Sequence, residues 1–129
     1  MTGETILIID DNQRNRELLT DLLEDEGYVV AQAATAREGI AYAQALAPAL
    51  ILMDIGLQDM DGYEATTLLK GDTGTRHIPI LAVTAYAMRE DRERAFAAGC
   101  NGFISKPIDL EEFLLTVAET IAGATARGA

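Results

Sequence analysis

The chain has 129 residues, 49% of them hydrophobic, and 10 basic against 21 acidic side chains give a formal charge of −11. That length buries a single core, and the acidic balance excludes nucleic acid or an anionic membrane as the main partner, because both reward basic patches. The lone cysteine forms no internal disulfide, no basic-then-apolar leader opens the chain, and no apolar stretch reaches the roughly 18 residues that span a bilayer, so a cytoplasmic globular domain is expected.

Strand-like and helix-like segments alternate from end to end. Thr5 to Ile9 is a continuous apolar run, as in a strand covered on both faces. Asn12 to Glu26 carries Leu18, Leu19, Leu22 and Leu23 at helical spacing, and Gly27 stands where a helix ends. Tyr28 to Val30 reads as a second strand. Thr35 and Glu38 form a capping box that opens a helix to Leu46, with Pro48 beyond it. Ala49 to Met53 is the third strand and Tyr63 to Lys70 the third helix, with Asp61 as its cap. Ile78 to Val83 is the fourth strand, and a polar helix follows from Met88 to Gly99. Gly102 to Ile104 is the fifth strand. Asp109 and Glu112 cap a last helix that buries Leu110, Phe113, Leu114, Val117 and Ile121, and residues 122–129 are expected to form a disordered tail.

Five strands alternating with five helices predict right-handed βαβ units: one doubly wound α/β domain over residues 1–121, with a parallel sheet between two helical layers. In such a sheet ligands bind beyond the carboxyl ends of the strands. Here those ends carry Asp10 and Asp11, then Asp54, then Thr84, then Ser105 and Lys106. Taken singly, an aspartate after a strand is a common turn former. Together, three carboxylates around one cleft repel one another unless a cation intervenes, and an all-oxygen donor set suits Mg²⁺ or Mn²⁺. An aspartate beside such an ion can accept a phosphoryl group as an acyl phosphate, with Lys106 and the Thr84 hydroxyl on the transferring oxygens.

Asp10-Asp11, Asp54 in MDIGLQDMDG, Thr84-Ala85 and Lys106-Pro107 resemble the motif set of bacterial response-regulator receiver domains, over about Glu4 to Ile121. The resemblance implies the flavodoxin-like strand order 2-1-3-4-5 and phosphorylation of Asp54 by a histidine kinase or a histidine phosphotransfer protein. It implies Mg²⁺ held by Asp11, Asp54 and the backbone carbonyl of Gly56, with Asp10 acting mainly through water. It further implies a cis Lys106–Pro107 peptide, and a switch in which Phe103 turns inward as Thr84 moves toward the phosphate. It points to a stand-alone relay protein, monomeric or weakly dimeric, that is not an enzyme but assists its own phosphorylation and dephosphorylation. Its output would run through a downstream protein or onward phosphotransfer. A kinase is expected to dock on the first helix.

Gln58 stands where the family usually has proline, so the loop after Asp54 is expected to be looser. Tyr86 has two readings: it overhangs the cleft and lengthens the life of the phosphorylated form by restricting the hydrolytic water, or it packs on the following helix. A Mg²⁺-dependent phosphatase of the haloacid-dehalogenase type would need an acid where Gly56 stands. A flavodoxin-like cofactor binder would need a phosphate loop where Asp10 and Asp11 stand. Asp59 and Asp61 lack EF-hand spacing, because Leu57 and Leu68 occupy ligand positions. His77 lacks a ligand partner in sequence, and Cys100 reads as a small packed residue.

Overall fold

The computed structural model describes residues 3–85 and 88–128. In chain order these form β1 (Thr5–Ile9), α1 (Gln13–Asp25), β2 (Val29–Ala33), α2 (Ala36–Leu46), β3 (Leu50–Asp54), α3 (Gly62–Gly71), β4 (Ile80–Thr84), α4 (Arg89–Ala98), β5 (Gly102–Ser105) and α5 (Leu110–Gly128). The sheet order is β2-β1-β3-β4-β5 and every pairing is parallel. This is the doubly wound, flavodoxin-like α/β fold.

Continuous apolar strands follow from having helices on both faces. Successive residues point to opposite sides, so each central strand feeds two cores. Leu7, Ile9, Ile51, Met53, Ile80 and Ala82 pack with Ala36, Ala43, Leu69 and Ala95 of α2, α3 and α4. Ile6, Ile8, Leu50, Leu52, Leu81 and Val83 pack with Leu19, Leu23, Phe113 and Val117 of α1 and α5. The local signals act as expected at several ends. Thr35 accepts from the Glu38 N–H at 3.1 Å, Asp61 from Tyr63 at 2.8 Å and Asp109 from Glu112 at 3.1 Å.

Four details differ from expectation. β2 runs over 29–33 rather than 28–30, because Gln32 and its neighbours continue the ladder with β1. β4 begins at Ile80 rather than Ile78, which still belongs to the preceding turn and donates its N–H to Thr75 O. Leu110, expected on the buried stripe of the last helix, is 50% exposed because it occupies the first turn, at the rim of the cleft. α5 also continues to Gly128 where a disordered tail was expected; the alanine-rich sequence favours helix once a packed turn has nucleated it. Among the described residues no helix is long and apolar enough to cross a membrane.

Candidate functional site

The strand register delivers the polar residues to one edge. Ile9 pairs with Met53, Asp54 with Val83 and Thr84 with Ser105, so Asp10, Asp54, Thr84 and Lys106 leave the sheet side by side. Asp10 is buried, and Oδ1 accepts the Asn12 N–H at 2.9 Å. Asp11, next to it, is exposed. One carboxylate oxygen from each of Asp10, Asp11 and Asp54 lies within 4.8 Å of the others.

Lys106 is the counter-charge. Its Nζ lies 4.0 Å from Asp10 Oδ2 and 3.9 Å from Asp54 Oδ1, and its backbone N–H donates to Thr84 O at 2.8 Å. Two strand ends are thereby tied together beside the acids. The Lys106–Pro107 peptide is cis. Thr84 is 2% exposed.

Asp54 receives the Gly56 N–H on Oδ1 at 3.2 Å. Burial, and after it the charge of Asp10, holds the Asp54 carboxyl above its ordinary value; Asp11 adds to this, while the Gly56 N–H and Lys106 act against it. One ammonium therefore does not balance the acids, and a second cation would relieve the repulsion. Three converging carboxylate oxygens with no sulfur or nitrogen among them suit a hard divalent ion such as Mg²⁺ or Mn²⁺.

The surrounding loops are held by residues with no plain signal in the sequence. Arg16 donates to the Asp10 carbonyl at 2.7 Å and to Gln32 Oε1 at 3.2 Å, bracing the β1–α1 turn against β2. Asp59 reaches away from the acid cluster: Oδ1 accepts the Ala36 N–H at 2.9 Å and Oδ2 the Arg37 N–H at 3.1 Å, both at the start of α2. Asp61 caps α3 and lies 3.4 Å from Arg94, whose guanidinium sits 4.3 Å above the Tyr63 ring. Neither acid joins the cluster. Gly62 has no positive φ; what requires a glycine there is the backbone of Asp54 and Ile55, which a Cβ would meet at 2.7 Å.

Phe103 is half-buried, with the Arg92 guanidinium 5.5 Å from its ring centre. It borders a cleft of about 540 Å³ that also involves Phe96, Phe113 and Thr116. On the other side of Lys106, a groove of about 330 Å³ runs from Asp10 past Asn15, Leu18 and Leu22 to Ile108 and Leu110. Cys100 is buried with Sγ 3.8 Å from Thr66 Oγ1, and burial raises the pKa of its thiol, as for a small packed residue. His77 is exposed in a turn. Tyr86 lies outside the described residues.

A family model described as the response regulator receiver domain matches residues 6–118. The polar-differentiation response regulator DivK of Brucella ovis is 42% identical over 114 residues, which cover 88% of this chain and 93% of that protein. Among solved structures, a CheY-like response regulator receiver domain protein from Methanospirillum hungatei superposes with a TM-score of 0.90 at 31% identity, covering 98% of this chain and 99% of the other. The receiver domain of a sensor histidine kinase from Pseudomonas aeruginosa has a TM-score of 0.87 at 32% identity, covering 94% and 99%, and holds a magnesium ion coordinated in its active site cleft.

Proposed function

Because the chain belongs to the response-regulator receiver family of two-component signalling, we propose that Asp54 is its phosphoacceptor and that a histidine kinase or histidine phosphotransfer protein is the donor. The observation that carries this reading is the placement of Asp54: a partly buried carboxylate at the end of the central strand, grouped with two further acids and 3.9 Å from Lys106. In the transfer, an Asp54 carboxylate oxygen forms a bond to phosphorus while the phosphorus–nitrogen bond of the donor histidine breaks. The histidine nitrogen keeps that electron pair.

Asp11, Asp54 and the Gly56 carbonyl would hold Mg²⁺ (or Mn²⁺), with Asp10 acting mainly through water. The bound ion supplies positive charge to the transferring oxygens. Lys106, 3.9 Å from Asp54 Oδ1, would add a second positive charge, and the Thr84 hydroxyl would donate to a phosphoryl oxygen. The rigid sheet fixes these groups before the donor arrives, which lowers the reorganisation needed at the transition state.

The donor docks on the groove beside α1, where exposed Leu18 and Leu110 flank the entrance to Asp10. Phosphorylation adds about two negative charges. Thr84 and Phe103 carry that change to α4, β5 and α5, where the cleft lined by Phe96 and Phe103 meets a downstream protein. Residues 1–121 make up the receiver unit, a monomer or weak dimer that works in the cytoplasm and has no substrate besides its own phosphoryl group.

Incubation with Mg²⁺ and acetyl phosphate, followed by intact-mass measurement, tests the acceptor. A phosphoryl increment is expected in the wild type and not in Asp54→Asn. Equal increments in both proteins overturn the assignment.

A further inference from the structure

We infer that Asp59 is a positioning residue for the cleft: its two-oxygen grip on the start of α2 fixes the loop that carries Gly56 away from Asp54. This rests on the reading of Asp54 and its metal site given above.

The loop from Ile55 to Asp61 has firm ends. Ile55 donates to Val83 O at 3.4 Å, Gly62 donates to Ile55 O at 3.2 Å, and Asp61 caps α3. Between those ends, Leu57 is buried and Met60 packs against the core, but apolar contacts tolerate sliding. The position that proline would stiffen is Gln58, which leaves φ free. Among the described residues, Asp59 is the one side chain of 56–60 that hydrogen-bonds to another element.

The grip has an unusual form. A helix leaves its first N–H groups without partners, and a local side chain normally caps one of them. In α2 the local cap, Thr35, takes the Glu38 N–H. The Ala36 and Arg37 N–H groups go instead to Asp59, a residue 23 positions further along the chain from Ala36. Both bonds are charge-assisted and lie at the positive end of the helix dipole. Those N–H groups hold the Asp59 carboxyl below its ordinary range. A clamp three residues from Gly56 restricts where that backbone can lie, and so compensates for the absent proline ring.

Loop order in the metal-free protein and Mg²⁺ affinity both test this. In Asp59→Ala, the amides of Gly56 and Leu57 are expected to exchange with deuterium about tenfold faster, and Mg²⁺ binding by calorimetry to weaken about tenfold. Asp59→Asn, which keeps one acceptor, should fall between. Thr35→Ala removes the other α2 cap and lowers the melting temperature, but leaves the Mg²⁺ affinity unchanged. Adding Gln58→Pro to Asp59→Ala should recover most of the affinity.

Unchanged exchange and affinity in Asp59→Ala, or a Thr35→Ala loss equal to that of Asp59→Ala, overturns the inference. If the wild type itself bound no Mg²⁺, the reading of the site would fall, and the exchange rates would still decide whether Asp59 orders the loop.

Discussion

A methyl group on Gly62 would lie 2.7 Å from the carbonyl oxygen of Asp54. The first turn of α3 is therefore packed directly on the backbone of the proposed phosphoacceptor, and the obstructing atoms are main chain, which cannot rotate aside. Gly62→Ala should destabilise the protein by about 1–3 kcal/mol, the usual cost of overpacking. It should also slow labelling by acetyl phosphate, because relief of the clash displaces Asp54. Urea unfolding and intact-mass kinetics measure the two effects, and a variant as stable and as reactive as the wild type would contradict this packing.

The raised pKa of Asp54 makes stability depend on pH with a definite sign. The folded value lies above the unfolded one, so the fold favours the protonated carboxyl. That contribution is complete below the unfolded value and is lost as pH rises through the folded value. In chelator at neutral pH, Asp54→Asn should therefore be more stable than the wild type. The difference should shrink as pH falls and vanish well below about pH 4, where the wild-type carboxyl is protonated in both states. Thermal melts across that range decide it, and Mg²⁺ should raise the melting temperature of the wild type more than that of the variant.

Lys106 stands within 4.0 Å of both Asp10 and Asp54. In Lys106→Met a cation that competes with a divalent ion disappears, so Mg²⁺ should bind more tightly. The rate of phosphoryl acceptance should nevertheless fall about 100-fold, because the positive group proposed to act on the transferring oxygens is gone. Opposite signs for affinity and rate separate a charge-stabilising role from a merely structural one. Stopped-flow phosphorylation at saturating Mg²⁺ reads the rate without the affinity.

Ala47, which ends α2 ahead of Pro48, has φ 46° in the left-handed region, where a Cβ is crowded by the following carbonyl. Ala47→Gly removes that crowding and gives back part of the gain in unfolded-chain entropy. A net stabilisation of about 0.5–1 kcal/mol is expected from denaturant unfolding, with phosphorylation unchanged.

The cleft was legible because a parallel sheet sends the residue after each apolar run to a known edge. Asp10, Asp54, Thr84 and Lys106 needed only the strand count and the direction of each strand to be brought together. The contacts around them were not legible. Asp59 sits within two residues of Asp61 in sequence, yet one caps α2 and the other α3, a difference made by the path of the loop rather than by local pattern. Arg16 shows the same limit, since its bond to the cleft goes to the backbone carbonyl of Asp10 and every residue type has such a group. Leu18 and Leu110 fit an apolar helical stripe by spacing, but they flank a groove and remain exposed.

The order of residues along the chain also fixes when the cleft can be completed as the chain emerges from the ribosome. β2 and β3 flank β1, and β4 and β5 lie outward of β3 in turn. The three acids are synthesised before Lys106. A nascent chain that stops short of Lys106 carries those three acids without their built-in counter-charge. The half-made protein thus depends on dissolved cations for a balance that the finished protein carries partly within itself.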